Sequence, residues 1–325
     1  MPEKPELTVL IHSGYPLSDG TPDGVKDSII QLKPYLEDIG VKVTLVGPRT
    51  KNNLADYTFG VAIPFRMNNT VLRSGASFNI KRAKQILRAV KPDIVEFNAP
   101  EASPTSTHTL MSATNRVREY RPMTVGHFHS RAENLDLKTR LVVASLNNLK
   151  KPTWRKGMMP ISLTEGMLNT ILYSFDARIA NSQDTADFWN QEFGMEDFHI
   201  IHNGVETEAL RPDLEKRVDW QDGKKTIFTT CRHDRRKGLA DLLQAYYLLT
   251  KVKGRTDIKL KIGGQGDCTD ELKILAVDLR LPDVEFLGIQ NREMLGRSFR
   301  SADICVFPSI GGEGWGRVLL EAEAC

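Results

Sequence analysis

The sequence lacks the features that mark several large classes of protein. Its 325 residues contain no run of eighteen apolar residues, so no membrane-spanning helix is expected. The four cysteines form neither a CxxC pair nor a zinc-ligand spacing, and residues 1–5 do not resemble a signal peptide. These absences predict a cytoplasmic protein with reduced thiols.

The sequence also lacks the motifs that several kinds of chemistry require. There is no Asp-x-Asp and no clustered set of His, Cys or Asp at metal-ligand spacing, so no metal site is predicted. A Walker loop and a GxSxG nucleophile elbow are absent, so hydrolase chemistry has no support. The net charge of +3 is too small to argue for nucleic acid, and none is expected as a partner.

The chain does contain two series of alternating strands and helices, within a length that suits two domains. A polar stretch from His202 to Lys225 separates the series, and we place the junction between residues 1–203 and 204–325. Strands separated by helices predict an α/β fold with two doubly wound, Rossmann-like domains facing a cleft, and ligand sites at the carboxyl ends of strands. The predicted strands are 7–12, 41–46, 94–97, 124–128, 177–180, 226–230, 258–262, 284–287 and 304–307, with a helix over 25–39.

The most informative segment follows the last predicted strand, which the sequence indicates to be buried. Four glycines, Gly311, Gly312, Gly314 and Gly316, lie within six residues and precede a helix. Glycines let backbone N–H groups approach a ligand closely. Glu313 lies inside this loop, where a carboxylate would repel phosphate but suits sugar hydroxyls. The alternative is a glutamate that only complements the helix dipole.

A basic loop follows the strand predicted over 226–230. Its cations are Arg232, Arg235, Arg236 and Lys237. At a strand end they can neutralise a pyrophosphate, with guanidinium as a bidentate fork and ammonium as a point charge. The alternative is an ordinary exposed basic loop, which we favour for Arg235 and Arg236.

These motifs together resemble the retaining glycosyltransferases of family 4, which have the GT-B architecture. Glu313 and Glu321-Ala322 match the family's Glu-x7-Glu motif, and Arg232 with Lys237-Gly238 matches its basic loop. The turn at Gly264 and the Phe286-Leu287-Gly288 run also match. The family usually continues beyond the Glu-Ala helix with a strand and further helices. The second domain is therefore expected to be incomplete, and less stable than an extended form.

The resemblance implies a role for each matching residue. It implies that Glu313 grips donor sugar hydroxyls, that Glu321 holds the ribose, and that Arg232 and Lys237 bind the diphosphate. The loop glycines at 264, 312 and 314 would admit the donor, and Gly288 would offer backbone groups to the base. No cofactor is implied, since the GDP- or UDP-linked sugar is the substrate.

In the first half, two sites carry the resemblance. Many relatives have Gly-Gly before the first helix, where this chain has Asp23-Gly24, and Asp23 equally suits a helix cap. Phe128-His129 matches a Phe-His pair at a strand end, which implies that His129 contacts the transferred sugar. His127 is expected to point to the opposite face. His12 ends the first strand and is a weaker candidate for the cleft.

A basic amphipathic helix is predicted over residues 79–91. Lys81, Lys84, Arg88 and Lys91 form one stripe, with Arg82 beside it, and apolar residues form another. Such a helix suits an anionic membrane surface, and equally a surface helix with its apolar face on the core. The segment 150–156 adds further basic residues. The resemblance to phosphatidylinositol mannosyltransferases favours peripheral association with the inner face of the membrane.

The sequence therefore predicts a retaining, metal-independent hexosyltransferase. It would move a sugar such as mannose from a nucleotide sugar to a hydroxyl acceptor on a lipid or glycan. Two alternatives stay open: a nucleotide-sugar epimerase of GT-B fold, and a donor- or membrane-binding fragment that does not turn over.

Overall fold

The computed structural model describes residues 6–14, 17, 24–67, 70–76, 79–100, 104–117, 120–129, 171–213, 218, 220, 222–311 and 313–325. The chain divides into two compact units, Met1–Asn203 and Gly204–Cys325. Each has its own β-sheet.

The first unit is an eight-stranded sheet with the order β4-β3-β2-β1-β5-β6-β7-β8. Every neighbouring pair is parallel except β3 and β4, which are antiparallel. The strands are β1 Leu7–Ser13, β2 Val41–Arg49, β3 Tyr57–Met67, β4 Thr70–Ala76, β5 Ile94–Asn98, β6 Met123–Phe128, β7 Ala177–Ala180 and β8 Phe198–Ile200. Helices α1 Gly24–Asp38, α2 Ile80–Val90, α3 Pro104–Thr114 and α4 Gln183–Phe193 connect or flank them.

Both faces of this sheet are covered. On β1, Leu10 belongs to one core cluster, whereas Val9 and Ile11 belong to another. The first cluster includes residues of α2 and α3, and the second includes Ile29 of α1. Side chains alternate across a strand, so helices pack on opposite faces and β1 is a continuous apolar run.

Helix α2 places its apolar side on the domain core. Ala83, Ile86 and Leu87 are buried, and Asn79 caps the helix by accepting a hydrogen bond from the backbone N–H of Arg82. The basic residues Lys81, Arg82, Arg88 and Lys91 are exposed, and Lys84 is half-buried. Of the two predictions for this segment, the surface helix packed on the core is confirmed. Its apolar face is not available for insertion into a bilayer.

The second unit is a four-stranded parallel sheet with the order β11-β10-β9-β12. Its strands are β9 Lys225–Thr230, β10 Ile258–Gly263, β11 Val284–Gly288 and β12 Ile304–Cys305. Its helices are α5 Leu239–Tyr247, α6 Thr269–Asp278, α7 Arg292–Ser301 and α8 Arg317–Glu323, and a short 3₁₀ turn spans Arg235–Lys237.

This sheet too is covered on two sides. Ile258, Leu260 and Ile262 of β10 pack with α5 and α6 in one core cluster. On β9, Phe228 contacts the rings of Trp220 and of Phe299 from α7, at 5.7 and 5.3 Å between centroids. The predicted α/β fold with two Rossmann-like sheets is confirmed.

One predicted strand differs from the structure. The sequence predicted a buried strand over residues 304–307, but β12 covers only Ile304–Cys305, and Ile304 is 55% exposed. Within the described residues β12 pairs only with β9, so it lies at the edge of this sheet. An apolar run alone does not distinguish an edge strand from a central one.

A buried histidine gives the first unit a testable pH dependence. His12 is fully buried beside Phe59 and Phe97, and among the described residues neither ring nitrogen has a hydrogen-bond partner. Burial lowers the pKa of His12 to about 4, from an ordinary value near 6.5. As the pH falls, the unfolded chain binds the proton first. The contribution of His12 to the free energy of unfolding is therefore fully present above about pH 6.5 and is lost as the pH falls toward 4.

We expect the parent protein to lose about 2 kcal/mol of unfolding free energy from His12 between about pH 7 and 5. His12→Leu should remove that loss, because the variant has no group to protonate. Urea unfolding at both pH values measures it. His199→Leu, at an exposed position, is the control and should fall as the parent does. An equal fall in the His12 and His199 variants would contradict the assignment.

Candidate active site

The loops that follow β9, β10 and β11 meet at one edge of the second sheet. The backbone N–H of Gly264 donates to Gly288 O at 2.7 Å, which joins the loops after β10 and β11. The N–H of His233 donates to Gln265 O at 3.2 Å, and that of Cys268 to His233 O at 3.0 Å. Main-chain bonds thus hold the three strand ends together.

Glycines make this contact possible. A Cβ on Gly264, whose φ is +97°, would lie 1.9 Å from Cys231 O, and a Cβ on Gly266 would lie 2.6 Å from His233 O. Gly238, with φ of +63°, faces Pro308, and its Cβ would meet Pro308 O at 2.0 Å. Any side chain at these positions would force the loops apart.

The side chain of His233 links the basic loop to the loop after β10. It is fully buried, its Nε2 donates to Gly263 O at 3.1 Å, and its Nδ1 lies 2.9 Å from Thr269 Oγ1. Burial lowers the pKa of His233, partly offset by the bond to Gly263. A neutral histidine here ties the loop after β9 to that after β10 and adds no charge to the site.

The structure brings Lys237 and Glu313 together, although they lie 76 residues apart. The Lys237 ammonium forms an ion pair with Glu313 Oε1, and Ser309 Oγ donates to the same oxygen at 2.9 Å. The side chains are 23% and 38% exposed, so both remain accessible to a ligand. Ile310 N–H donates to Arg236 O at 2.8 Å and fixes the glycine-rich loop against the 3₁₀ turn.

The other cations of the basic loop differ in their pairing. Arg236 pairs with Asp234 at 3.3 Å, and Arg235 with Glu271 at 3.5 Å, where both side chains are largely exposed. Arg232 is half-buried, and its guanidinium has no ion-pair or hydrogen-bond partner in the part of the chain that the structure describes. Arg232 is therefore the cation of this loop that can take an anion without giving up a contact.

Glu321 is already neutralised by arginines. Its Oε1 lies 2.6 Å from Arg292 Nη1 and 3.7 Å from Arg317 Nη2, and Glu321 is only 9% exposed. Arg292 also pairs with Glu206 at 3.5 Å. Sequence analysis missed Arg292, because no motif or spacing distinguishes it from other helical arginines.

The remaining predicted substrate-binding residues lie in different parts of the two units. Gly288 has φ of +71° and open space around its Cβ position, and Gly314 lies in the loop before α8. Gly312 and Asp23 lie outside the described residues. Gly24 is the first residue of α1, in the first unit. No group of three potential metal-ligating side chains occurs among the residues that the structure describes.

A second polar cluster lies at the ends of β5 and β6 in the first unit. His129 Nε2 lies 2.5 Å from Asn98 Oδ1, and Asn98 Nδ2 donates to Glu96 Oε1. The same carboxylate oxygen accepts from His127 Nδ1 at 3.0 Å. His129 is buried, and its carbonyl accepts from Asn181 Nδ2 at 2.7 Å.

Two expectations about histidines were wrong. The rings of His127 and His129 are stacked 4.1 Å apart, not on opposite faces, since residues i and i+2 of a strand share a face. His12 does not reach any open site, because it is enclosed between Phe59 and Phe97.

Two solved structures share the fold of this chain. A sucrose-phosphate synthase (tll1590) from Thermosynechococcus elongatus superposes with a TM-score of 0.68 at 17% identity, over 98% of this chain and 79% of that one. Anabaena Alr3699/HepE in complex with UDP gives 0.60 at 17% identity, over 98% and 79%. At this identity the likeness shows the fold alone, and that fold is GT-B.

The sequence comparisons give the family. The family described as Glycosyltransferase Family 4 matches residues 22–209, more than half of the chain, and that described as Glycosyl transferases group 1 matches residues 211–325. A phosphatidyl-myo-inositol mannosyltransferase from Mycolicibacterium smegmatis is 29% identical over 317 residues, which are 95% of this chain and 72% of the relative. The chain belongs to glycosyltransferase family 4. The predicted glycosyl transfer is thereby confirmed, and the epimerase hypothesis is not supported.

The close loop packing gives a second prediction. Gly238→Ala should lower the free energy of unfolding of the second unit by about 1–3 kcal/mol more than Gly254→Ala. Both glycines have a left-handed φ, +63° and +68°, but a Cβ on Gly254 would have nothing within 4 Å. The difference therefore isolates the contact with Pro308 from the backbone strain. Denaturant unfolding of the two variants measures it, and equal losses would show that the loops are not held as described.

Proposed function

We propose that this chain moves a hexose from a nucleotide sugar to a hydroxyl acceptor with retention of anomeric configuration. The observation that carries the proposal is the Lys237–Glu313 ion pair at the carboxyl edge of a parallel sheet, with Arg232 in the same loop after β9. Such edges are where ligands bind in open α/β folds. Two cations and one carboxylate suit a ligand that joins a diphosphate to a sugar.

Donor binding would exchange one ion pair for another. In the structure Glu313 forms an ion pair with Lys237. A diphosphate brings charge that Arg232 and Lys237 can take, and Lys237 then leaves the carboxylate. Glu313 becomes an acceptor for sugar hydroxyls, with Ser309 beside it. Glu313 would thus bind sugar hydroxyls in place of Lys237, while the diphosphate would neutralise both Arg232 and Lys237.

In the proposed reaction the acceptor attacks from the face that the diphosphate leaves. Arg232 and Lys237 hold the charge that develops on the leaving group, and such preorganised electrostatics is often the largest catalytic term. The leaving oxygen takes the proton of the acceptor hydroxyl. Glu321, through the oxygen not bound to Arg292, would hold the ribose, and Gly264, Gly288 and Gly314 would let the donor approach the backbone.

Retention and independence from metal are part of the proposal. Arg232 and Lys237 would supply the positive charge that a divalent metal supplies to a diphosphate in other enzymes. Transfer should therefore continue in a strong chelator, and the product should keep the donor's anomeric configuration by NMR. Activity restored only by magnesium or manganese, or an inverted product, would contradict it.

We propose the acceptor from the residues of the first unit and from the proteins that this chain resembles. His129 would contact the transferred sugar, and Asp23 and Gly24 keep the substrate-binding role that the sequence predicts. The mycobacterial relative is named for mannosyl transfer to phosphatidyl-myo-inositol, and HepE was solved with UDP. We propose an inositol-lipid or related hydroxyl acceptor and a GDP- or UDP-linked donor, which a panel of nucleotide sugars assayed for released nucleotide would identify. A fragment that binds donor without turnover is the outcome in which no nucleotide is released.

We place the protein in the cytoplasm, at the inner face of the membrane. Among the residues that the structure describes, no helix is both long and apolar enough to cross a bilayer. Attachment through α2 would be electrostatic, because its exposed side is basic and its apolar side is buried. Sedimentation with anionic vesicles should therefore fall as salt rises; binding unaffected by salt would exclude this contact.

The third prediction tests the diphosphate site. Lys237→Ala should weaken nucleoside-diphosphate binding about ten- to a hundredfold, because one charge-assisted contact is worth roughly 1.5–3 kcal/mol. Calorimetric titration measures the dissociation constant. Arg235→Ala is the matched control in the same loop, since that arginine is exposed and pairs with Glu271. Equal affinities of the parent and the Lys237 variant would remove Lys237 from the site.

The fourth prediction separates the two glutamates. Glu313→Gln should reduce transfer without weakening nucleoside-diphosphate binding, because this carboxylate is assigned to the sugar and its loss releases Lys237 for the diphosphate. Glu321→Gln should weaken nucleotide binding instead. Measuring the rate of transfer and the dissociation constant in both variants distinguishes them. The reverse pattern would exchange the two roles.

A further inference from the structure

The polar cluster of the first unit forms one connected network around His129. Glu96 Oε1 accepts hydrogen bonds from both Asn98 Nδ2 and His127 Nδ1, the latter at 3.0 Å. Asn98 Oδ1 lies 2.5 Å from His129 Nε2. The side chains of Glu96 and His127 are only 13% and 12% exposed, and His129 is buried, so water has little access to replace these bonds.

The chemistry of these groups fixes the direction of every bond. An ionised carboxylate only accepts, so the Asn98 group that faces Glu96 must be its NH2. The amide oxygen of Asn98 then faces His129 and can only accept, so His129 carries its proton on Nε2. By the same argument His127 carries its proton on Nδ1. In their neutral forms, His129 has its lone pair on Nδ1 and His127 has its lone pair on Nε2.

The two rings cannot rearrange independently. They are stacked at 4.1 Å with 27° between their planes, and the carbonyl of His129 is held by Asn181. Asn98 is paired with His127 in the β5–β6 register, so the backbone places both links of the network. A change of proton position on one histidine therefore requires Glu96 or Asn98 to change partner.

We propose that Glu96 is a positioning residue that sets the proton positions of both histidines. Its carboxylate orients Asn98, and Asn98 holds His129 with Nε2 protonated and Nδ1 as the hydrogen-bond acceptor. This inference rests on the proposed function only in giving His129 a hydroxyl substrate.

The proton positions can be measured without substrate. Protein labelled with nitrogen-15 in its seven histidines gives long-range proton–nitrogen spectra whose coupling patterns distinguish the two neutral tautomers. We expect the Nε2–H form for His129 and the Nδ1–H form for His127, recorded near about pH 9 where imidazoles are neutral. Single substitutions of each histidine assign the signals. The opposite form at either position in the parent protein would overturn the proposal.

Two substitutions at Glu96 test its part in the network. Glu96→Met removes the acceptor at similar length, so His127 should lose the Nδ1–H form and kcat should fall about tenfold or more, with the KM for donor little changed. Glu96→Gln keeps an acceptor oxygen and should retain both tautomers and most of the kcat. Glu192→Met, at an exposed site on α4, is the control.

The outcomes separate this inference from the proposed function. Unchanged tautomers in Glu96→Met would overturn the role of Glu96, whatever the enzyme transfers. The expected tautomers in a protein that transfers no sugar would support the network and contradict the proposed function. If Glu96→Met does not fold, the spectrum of the parent protein and the Glu96→Gln variant still decide the proton positions.

Discussion

The candidate donor site depends on backbone contacts between loops, and a side chain at any of three glycines would force those loops apart. At Gly238, Gly264 and Gly266 a Cβ would lie 2.0, 1.9 and 2.6 Å from a carbonyl oxygen of a neighbouring loop. Because these loops touch, the cations after β9 lie beside the glycine-rich segment before α8. The buried His233 holds the loops after β9 and β10 together through its hydrogen bonds to Gly263 and Thr269.

Lys237 and Glu321 of this candidate site both lie in ion pairs within the protein. Lys237 is held by Glu313, and Glu321 by Arg292 and Arg317, whereas Arg232 has no partner among the described residues. Ion pairing offsets part of the free-energy cost of holding these charges in a partly buried site. In the first unit, a single carboxylate oxygen of Glu96 accepts hydrogen bonds from both His127 and Asn98.

Much of the fold follows from patterns that the sequence displays openly. Buried parallel strands are continuous apolar runs between helices, so β1, β5, β6 and β10 were predictable, and the glycines and the Glu-x7-Glu motif gave the prediction of the candidate site. Contacts between distant residues were not. Neither the Lys237–Glu313 pair nor the place of Arg292 leaves a local signal, and the β3–β4 hairpin was missed. The stacking of His127 on His129 was available from strand geometry and was predicted wrongly. The edge position of β12 depends on strand order, which an apolar run does not encode.

The exchange of Lys237 from Glu313 to the donor diphosphate is the central claim. A crystal structure with a bound nucleoside diphosphate tests it most directly. The account predicts phosphate oxygens within hydrogen-bond distance of Arg232 and Lys237, with the Lys237–Glu313 ion pair broken. A nucleotide bound elsewhere, or Lys237 still paired with Glu313 beside a diphosphate that it does not touch, would contradict the account.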